Sequence, residues 1–303
     1  VYALLFLLII YAAYRYTKTR IILLMRLKTE HEQRVNIENM NQQKINFFTY
    51  ISHDLKTPLT LILSPLQRLI QQPQISNNDK EKLEVIYRNA NRMNYLINEL
   101  LTFSKIEMKQ MRISVRKGDI MHFLEELSHI FDIVAGEREI DFIVNLEDTE
   151  EEVWFSPSKL ERILYNLLSN AFKYTQPGGY VKLSAKLIKE EKGTFVQISV
   201  KDNGRGIPKE AQEQIFESYY QVEKRDHREG FGLGLSLTRS LIHMHKGEIR
   251  VESEINKGSD FIVTLNVSED AYNPDERSSE NITTEEIQKY NQRIKETIEL
   301  IPE

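Results

Sequence analysis

A seam of apolar residues at helical spacing dominates the first third of the sequence. It holds Ile45, Phe48, Leu55, Leu59, Ile62, Leu66 and Leu69. Steps of three and four place these side chains on one side of an α-helix and favour packing against other helices. After a polar turn, a second seam follows with Leu83, Ile86, Ala90, Met93, Ile97 and Leu100. Because one hairpin cannot bury both seams well, we predict an antiparallel helical hairpin that pairs with a second copy as a four-helix bundle.

One histidine lies beside the first seam. His53 falls one position past the seam, so we expect its side chain to point toward solvent, next to Asp54. Pro58 lies within the same predicted helix and could kink it. A carboxylate that accepts the proton from one ring nitrogen would let the other nitrogen attack. A lone surface histidine is more often a solvated residue than a nucleophile, so this pattern alone leaves both interpretations open.

The N-terminal residues suggest a membrane segment. Residues 1–14 are uncharged and largely apolar, and Arg15, Lys18 and Arg20 follow at once. A full span needs roughly 20 apolar residues. Since the sequence starts at a valine, we treat residues 1–16 as a truncated transmembrane helix. The basic residues predict the inner (cytoplasmic) membrane, with the chain after about residue 16 in the cytoplasm. A buried helix of a soluble protein is the alternative.

Further domains are predicted from changes of pattern. We expect a connecting signalling helix over 17–45, which could equally be a plain connector, and the hairpin over 46–112. A mixed domain over 113–268 has strand-like runs at 140–146, 180–186, 195–201, 247–253 and 260–267, and helical stretches at 120–135, 158–174 and 233–245. Residues 269–303 are acidic and polar, and we interpret them as a tail or linker.

Composition excludes several kinds of site. The chain has no cysteine, which rules out disulfides, thiolate metal sites and cysteine nucleophiles. A net charge of −5 and the lack of a basic stripe argue against direct binding of nucleic acid.

Two polar clusters in the mixed domain suit a nucleotide. Asn166, Asn170 and Lys173 share one face of a predicted helix, where amide oxygens and an ammonium suit Mg²⁺ and phosphate oxygens. Asp202 ends a predicted strand, and its carboxylate could accept a hydrogen bond from an exocyclic amine. Gly204 and Gly206 would let the backbone approach a flat ligand. Taken singly, each cluster also fits a solvated helix face or a glycine-rich turn.

Two further glycine clusters follow. Gly230, Gly232 and Gly234 open a helix, where backbone N–H groups and the helix dipole favour phosphate. The polar loop over 223–229 precedes them and could close over a ligand as a lid. Ser259 lies in a Gly-Ser-Asp-Phe run that leads into the last strand, and it could reach a base.

Together these motifs resemble those of sensor histidine kinases of two-component systems. The residues around His53 look like the phospho-acceptor box, and the four clusters look like the N, G1, G2 and G3 boxes in the family's order. Residues 216–220, Phe-Glu-Ser-Tyr-Tyr, resemble the F box. The residues around His53 and the Asn-Ala-Phe-Lys-Tyr-Thr run also resemble the sequences of hybrid two-component sensors of gut Bacteroidetes.

The resemblance implies a fold and an activity. The fold is multidomain: a dimerisation and histidine phosphotransfer hairpin is followed by a Bergerat-type α/β sandwich that binds ATP. The activity is transfer of the γ-phosphoryl group of ATP to His53 and then to an aspartate of a receiver domain, with phosphatase activity in addition. The implied partners are a second copy of the chain and a response-regulator receiver domain, separate or fused after residue 303.

The resemblance also assigns roles by position. His53 would be phosphorylated, with Asp54 as its base, and Thr57 would position a water for dephosphorylation of the regulator. Asn166 would coordinate Mg²⁺. Asn170, Lys173 and Tyr174 would lie near the phosphates and ribose, and Asp202 would bind the adenine amine. The remaining pocket and lid residues are Gly204, Gly206, Ile207, Gly230, Gly232, Leu233, Gly234 and Ser259.

The sequence departs from the family pattern at four positions, of which the mildest is Tyr219 in place of the commoner phenylalanine of the F box. Ser156 replaces a common Asp, Asn256 replaces the usual first glycine of the G3 box, and Asn266 replaces its closing proline. These changes put loop geometry in question and remove none of the proposed ligands.

Two other functions stay open. Hydrolytic relatives of the nucleotide-binding fold place a Glu where Arg162 stands, with Glu161 beside it, which argues against a plain ATPase. A catalytically silent dimeric scaffold is the second alternative.

Overall fold

The structure is a computed structural model of the 303-residue chain. It describes residues 2–72, 75–108, 110–221 and 232–298; some side chains within its helices, His53 among them, are not described. The chain divides into two compact units, residues 1–51 and residues 52–303. One long helix, α1 (Tyr2–Ile70), supplies all of the described first unit and the start of the second.

The membrane prediction for residues 1–16 is not supported by the described residues. None of their helical segments is both long enough and apolar enough to cross a bilayer.

The second unit begins with the predicted helical hairpin. Helix α1 continues through Pro58 and Pro65 to Ile70, and α2 (Asn77–Glu107) follows. Ser76 caps α2 by accepting the Asp79 N–H at 3.2 Å. Leu59, Leu66 and Ala90 are buried, whereas seven large apolar side chains described between residues 52 and 107 are exposed. These are Leu55, Leu61, Ile62, Leu69, Val85, Ile86 and Met93. The hairpin therefore leaves part of its apolar seam uncovered.

An α/β sandwich follows, as predicted. Its strands are β1 (Arg116–Asp119), β2 (Asp141–Leu146), β3 (Glu152–Phe155), β4 (Tyr180–Glu190), β5 (Gly193–Asp202), β6 (Glu248–Glu254) and β7 (Gly258–Asn266). Five form a sheet in the order β2-β4-β5-β7-β6, in which only the β2–β4 pair is parallel. The short strands β1 and β3, which the sequence did not suggest, pair separately.

Three helices cover one face of this sheet. They are α3 (Ile120–Glu137), α4 (Pro157–Tyr174) and α5 (Gly234–Met244). Alternate residues of the central strands point into the shared core, including Val181, Leu183, Val196, Ile198, Val200, Val263 and Leu265, all of them almost fully buried. The period of two along each strand thus produces one helix-covered face.

The interpretation of residues 269–303 as a tail or linker is wrong for the part that the structure describes. Helix α6 (Thr284–Ile298) buries Ile287, Tyr290 and Ile294 in the domain core. Arg116 donates two hydrogen bonds of 2.7 Å to the carboxylate of Glu286. These three apolar residues are spaced three and four positions apart among acidic and polar residues, and this spacing gives α6 its buried stripe.

His245 joins the end of α5 to the start of α4. Its Nδ1 donates to the Leu241 carbonyl at 3.0 Å, and its Nε2 accepts the Ser156 backbone N–H at 3.2 Å. The ring is fully buried. Burial lowers the pKa of His245 to about 4, and the nearby charge of Lys159 acts in the same direction, whereas the bond to Leu241 opposes them. Neutral His245 is therefore part of the folded domain.

We expect Ile287→Ala to lower the free energy of unfolding by about 2 to 4 kcal/mol, because it empties a core position. The single tryptophan, Trp154, lies in β3, so its fluorescence during urea unfolding reports on this domain. The control is Gln288→Ala at the neighbouring exposed position, where we expect a change within about 0.5 kcal/mol. Equal effects of the two substitutions would show that α6 does not belong to the core.

We also expect a specific pH dependence of stability from His245. Its pKa is 6.5 when unfolded and about 4 when folded, so its stabilising contribution is complete above pH 6.5 and is lost as the pH falls toward 4. Between pH 7.5 and pH 5 the loss is about 2 kcal/mol.

His245→Gln removes this titration and should make the decrease over that range smaller by about the same amount, as measured by Trp154 fluorescence in urea. The control is His243→Gln, on the exposed side of α5. An unchanged pH profile in His245→Gln would contradict the assignment.

Candidate nucleotide-binding site

Asn166 is held in one orientation by α5. It is buried on α4, and its Nδ2 donates to the Gly234 carbonyl at 3.0 Å and to the Thr238 hydroxyl at 3.1 Å. Both amide hydrogens are thus used within the domain, and Oδ1 points away from α5. That oxygen accepts the hydroxyl of Tyr95, on α2, at 3.2 Å. An oriented amide oxygen is the group that the predicted magnesium site requires.

Asp202 lies at the end of β5, where two of the predicted clusters meet. The β5–β7 pairing sets it opposite Ser259. Its Oδ1 accepts the backbone N–H of Gly204 at 2.8 Å and that of Ser259 at 3.3 Å. Burial raises the pKa of the Asp202 carboxyl, and these two hydrogen bonds counteract the rise. Since both bonds end on Oδ1, Oδ2 has no partner among the described contacts and can accept a ligand amine.

Two glycines allow this corner to close. Gly206 and Gly258 have φ values of 68° and 99°, and a Cβ on either would collide with a backbone carbonyl, that of Glu254 or of Asp202 respectively. Asn256, where the family usually has glycine, also adopts a left-handed conformation with φ of 62°. Asparagine tolerates this region better than most residues, so the departure preserves the loop geometry.

A cationic cluster lies beside the Asp202 loop. The Lys173 ammonium donates to the Tyr174 hydroxyl at 3.2 Å and lies 4.8 Å from the ring centroid. The Arg205 guanidinium carbon lies 4.3 Å from the centroid of the same ring. Both distances are in the range of cation–π contacts. Arg205 was not among the predicted site residues, although a basic residue between the two glycines of the turn was a visible signal.

The structure describes all but one of the other predicted pocket residues. Ile207 is half-buried, and its N–H donates to the Ser253 hydroxyl at 2.8 Å. Asn170 is half-buried on α4. Leu233 is buried, Gly232 has a φ of 69°, and Gly234 begins α5. Gly230 and the loop over 223–229 lie outside the described residues.

The F box is hydrogen-bonded to the glycine cluster at the start of α5, which includes Gly232 and Gly234. Phe216 is buried against Phe261, with ring centroids 6.4 Å apart. Tyr219 donates its backbone N–H to the Gly232 carbonyl at 3.0 Å, while its side chain is largely exposed.

The predicted phospho-acceptor residues lie on α1. Asp54 and Thr57 are exposed on this helix. The side chain of His53 is outside the described set, so its exposure to solvent stays a prediction.

The donor set fits ATP and Mg²⁺. Asn166 offers one amide oxygen, and Mg²⁺ takes few protein ligands because it keeps waters and binds nucleotide phosphates. Asp202 offers a buried carboxylate oxygen for an amine, and Lys173 and Arg205 offer positive charge for phosphates. No cluster of three or more His, Asp or Glu residues that could hold a metal occurs among the described residues.

Sequence and structure comparisons agree with this arrangement. The model of the His Kinase A (phospho-acceptor) domain matches residues 43–109. The model of the histidine kinase-, DNA gyrase B- and HSP90-like ATPase matches residues 156–269.

Two curated relatives are named as histidine kinases. Histidine kinase P4 of Formosa agariphila is 33% identical over 293 residues, which cover 95% of this chain and 21% of that protein. Sensor histidine kinase WalK of Bacillus subtilis is 33% identical over 236 residues, 77% of this chain and 38% of that protein. The chain therefore spans well under half the length of these two relatives.

A solved structure shares the fold. Full-length ShkA in complex with AMPPNP superposes with a TM-score of 0.63 at 24% identity, over 74% of this chain and 46% of that one. With a phospho-acceptor domain followed by an ATPase domain, and with curated relatives of the same type, this chain belongs to the sensor histidine kinases.

Proposed function

We propose that this chain is an ATP-dependent protein-histidine kinase. It transfers the γ-phosphoryl group of ATP to His53 and then to an aspartate of a receiver domain, and it also acts as a phosphatase on that receiver. The observation that carries the proposal is the presence on one chain of His53, inside the phospho-acceptor match, and of the oriented Asn166 and Asp202 pair inside the ATPase match.

The residues have separate tasks in the proposed reaction. Asp202 accepts the adenine amine through Oδ2, and Lys173 with Arg205 neutralises phosphate charge. Asn166 would hold Mg²⁺ through Oδ1. When bound, ATP and Mg²⁺ supply the phosphoryl group and stabilise its charge. Positioning and charge neutralisation account for most of the rate in such transfers.

His53 completes the chemistry. One ring nitrogen forms the bond to phosphorus while the bond to the ADP oxygen breaks, and Asp54 accepts the proton from the other nitrogen. Thr57, one helical turn from His53, positions the water that hydrolyses the phosphorylated receiver.

The proposed assembly is a homodimer. The exposed apolar residues of α1 and α2 form the surface that a second hairpin would bury. The receiver partner is proposed on the family resemblance, either as a separate protein or fused after residue 303 as in hybrid sensors. Attachment to the inner membrane by the N-terminal helix rests only on the charge pattern of residues 1–20.

A plain ATPase is the weaker candidate. Its catalytic Glu would stand at Arg162, and the Arg162 guanidinium donates to the Thr102 hydroxyl of α2 at 2.8 Å. Arginine at this position cannot act as a general base.

We expect His53→Gln to abolish labelling of the chain by ATP that carries the label in its γ-phosphate. The control is His129→Gln, an exposed histidine of α3, which should be labelled normally. The label on the unaltered chain should be lost in acid and kept in base, as a phosphorus–nitrogen bond requires. Label that persists in His53→Gln, or that survives acid, would contradict the kinase proposal. Rapid release of phosphate with no label on the chain would favour the ATPase.

We expect Asp202→Asn to weaken Mg²⁺-ATP binding by about 10- to 100-fold, because the adenine amine loses a charged acceptor in a buried site. Titration calorimetry measures the dissociation constant, and Asp132→Asn, on the exposed side of α3, is the control. Unchanged affinity in Asp202→Asn would remove the role given to Asp202. No nucleotide binding by the unaltered chain would favour the silent scaffold.

A further inference from the structure

Helix α2 contacts the nucleotide-binding domain through one of its faces. Tyr95, Glu99, Thr102 and Phe103, which we call the α2 face, lie within about two turns of one another. Thr102 accepts the Arg162 guanidinium at 2.8 Å, and the Phe103 ring meets the Tyr219 ring edge-on with centroids 6.1 Å apart. The hairpin thus touches both α4 and the F box, on two sides of the glycine cluster.

The central contact of this face is made to Asn166. The Tyr95 hydroxyl lies 3.2 Å from Asn166 Oδ1 and 3.0 Å from Glu99 Oε1. The Tyr95 ring also packs on Tyr165 of α4, with centroids 6.0 Å apart. Because the two amide hydrogens of Asn166 are already used by Gly234 and Thr238, Oδ1 is the atom of this side chain that remains for Mg²⁺. Tyr95 therefore binds the oxygen that the metal needs.

Mg²⁺ and Tyr95 have conflicting requirements at this oxygen. Mg²⁺ demands near-octahedral geometry at about 2.0 to 2.1 Å and keeps several of its own waters. A phenol 3.2 Å from the ligand oxygen occupies space next to it and uses one of its lone pairs.

The contact itself is held weakly. The Tyr95 hydroxyl has one proton and two oxygen neighbours, so it cannot donate fully to Asn166 Oδ1 and to Glu99 Oε1 at once. Glu99 is buried, and burial raises the pKa of its carboxyl, whereas the charge of Arg162 and the hydrogen bond from Tyr95 oppose this rise. Because one hydroxyl proton is shared between two acceptor oxygens, the hydrogen bond to Asn166 is weak, and a ligand of ordinary affinity can displace it.

We propose that the α2 face is an intramolecular latch that competes with Mg²⁺-nucleotide for Asn166. This inference rests on the proposed function and adds a regulatory step to it. Binding of Mg²⁺-nucleotide releases the nucleotide-binding domain from α2. Because coupling between two equilibria is reciprocal, a shift of α2 that tightens the contact between Tyr95 and Asn166 weakens nucleotide binding by the same factor. The hairpin thereby controls when the site is loaded.

The first test is Tyr95→Phe, which keeps the ring and removes the hydroxyl. We expect it to bind Mg²⁺-AMPPNP about three- to tenfold more tightly, the factor expected from loss of one competing hydrogen bond. Binding of AMPPNP in EDTA should change by less than twofold, because the competition concerns the metal ligand. Titration calorimetry gives both constants. The matched control is Tyr87→Phe, two turns earlier on α2, which should bind as the unaltered chain does.

The second test observes the latch without any reaction. The chain has no cysteine, so Phe103→Cys with Tyr219→Cys introduces the only two thiols. A short bifunctional thiol reagent should cross-link them within the chain, and Mg²⁺-AMPPNP should lower the yield at least twofold, whereas AMPPNP in EDTA should not. Introducing Tyr95→Phe should lower the yield without nucleotide.

The outcomes separate this proposal from the kinase proposal. If Tyr95→Phe leaves Mg²⁺-AMPPNP affinity unchanged, or if the cross-linking yield does not respond to Mg²⁺-AMPPNP, the latch is wrong while labelling of His53 stands. If the unaltered chain binds no nucleotide, both proposals fail.

Discussion

The side-chain amide of Asn166 connects three helices, and the proposed site depends on it. Its two hydrogens go to Gly234 and Thr238 of α5, and its oxygen faces Tyr95 of α2. An amide has two donors and one acceptor oxygen, so using both donors inside the domain fixes which atom is presented outward. The same interaction therefore holds the start of α5, which carries the glycine cluster, and orients the single side-chain oxygen of Asn166. The hairpin therefore contacts, through Tyr95, the side-chain oxygen on which the proposed magnesium site depends.

The second fixed point is the carboxylate of Asp202. A buried carboxylate is unfavourable unless it is hydrogen-bonded, and the N–H groups of Gly204 and Ser259 meet this need through one oxygen. These bonds require the turns after β5 and before β7 to approach closely, which explains the left-handed glycines at 206 and 258. Asn256 shows that the loop conformation, and not glycine itself, is what the corner requires.

Periodic features of the sequence predicted most of the fold. Strands β2, β4, β5, β6 and β7 and helices α3, α4 and α5 occur where alternation and three-four spacing indicated, because those patterns directly reflect a buried face. The structure differs where the signal is short or mixed: β1 and β3 have four residues each, and the buried stripe of α6 is hidden among acidic residues. The meeting of Asp202 with Ser259 was foreseen only through the family resemblance. The contact of Tyr95 with Asn166 joins residues 71 positions apart and leaves no local pattern, so only the folded chain reveals it.

The ring of Tyr174 has a consequence for the electrostatics of the domain. Lys173 and Arg205 each lie within 5 Å of its centroid, so the two cations are at most about 10 Å apart, close to the Debye length of about 8 Å at physiological ionic strength. Their mutual repulsion is therefore only partly screened by dissolved salt. The aromatic face that attracts each of them compensates for this repulsion, and it keeps a concentrated positive potential at one corner of a chain whose net charge is negative.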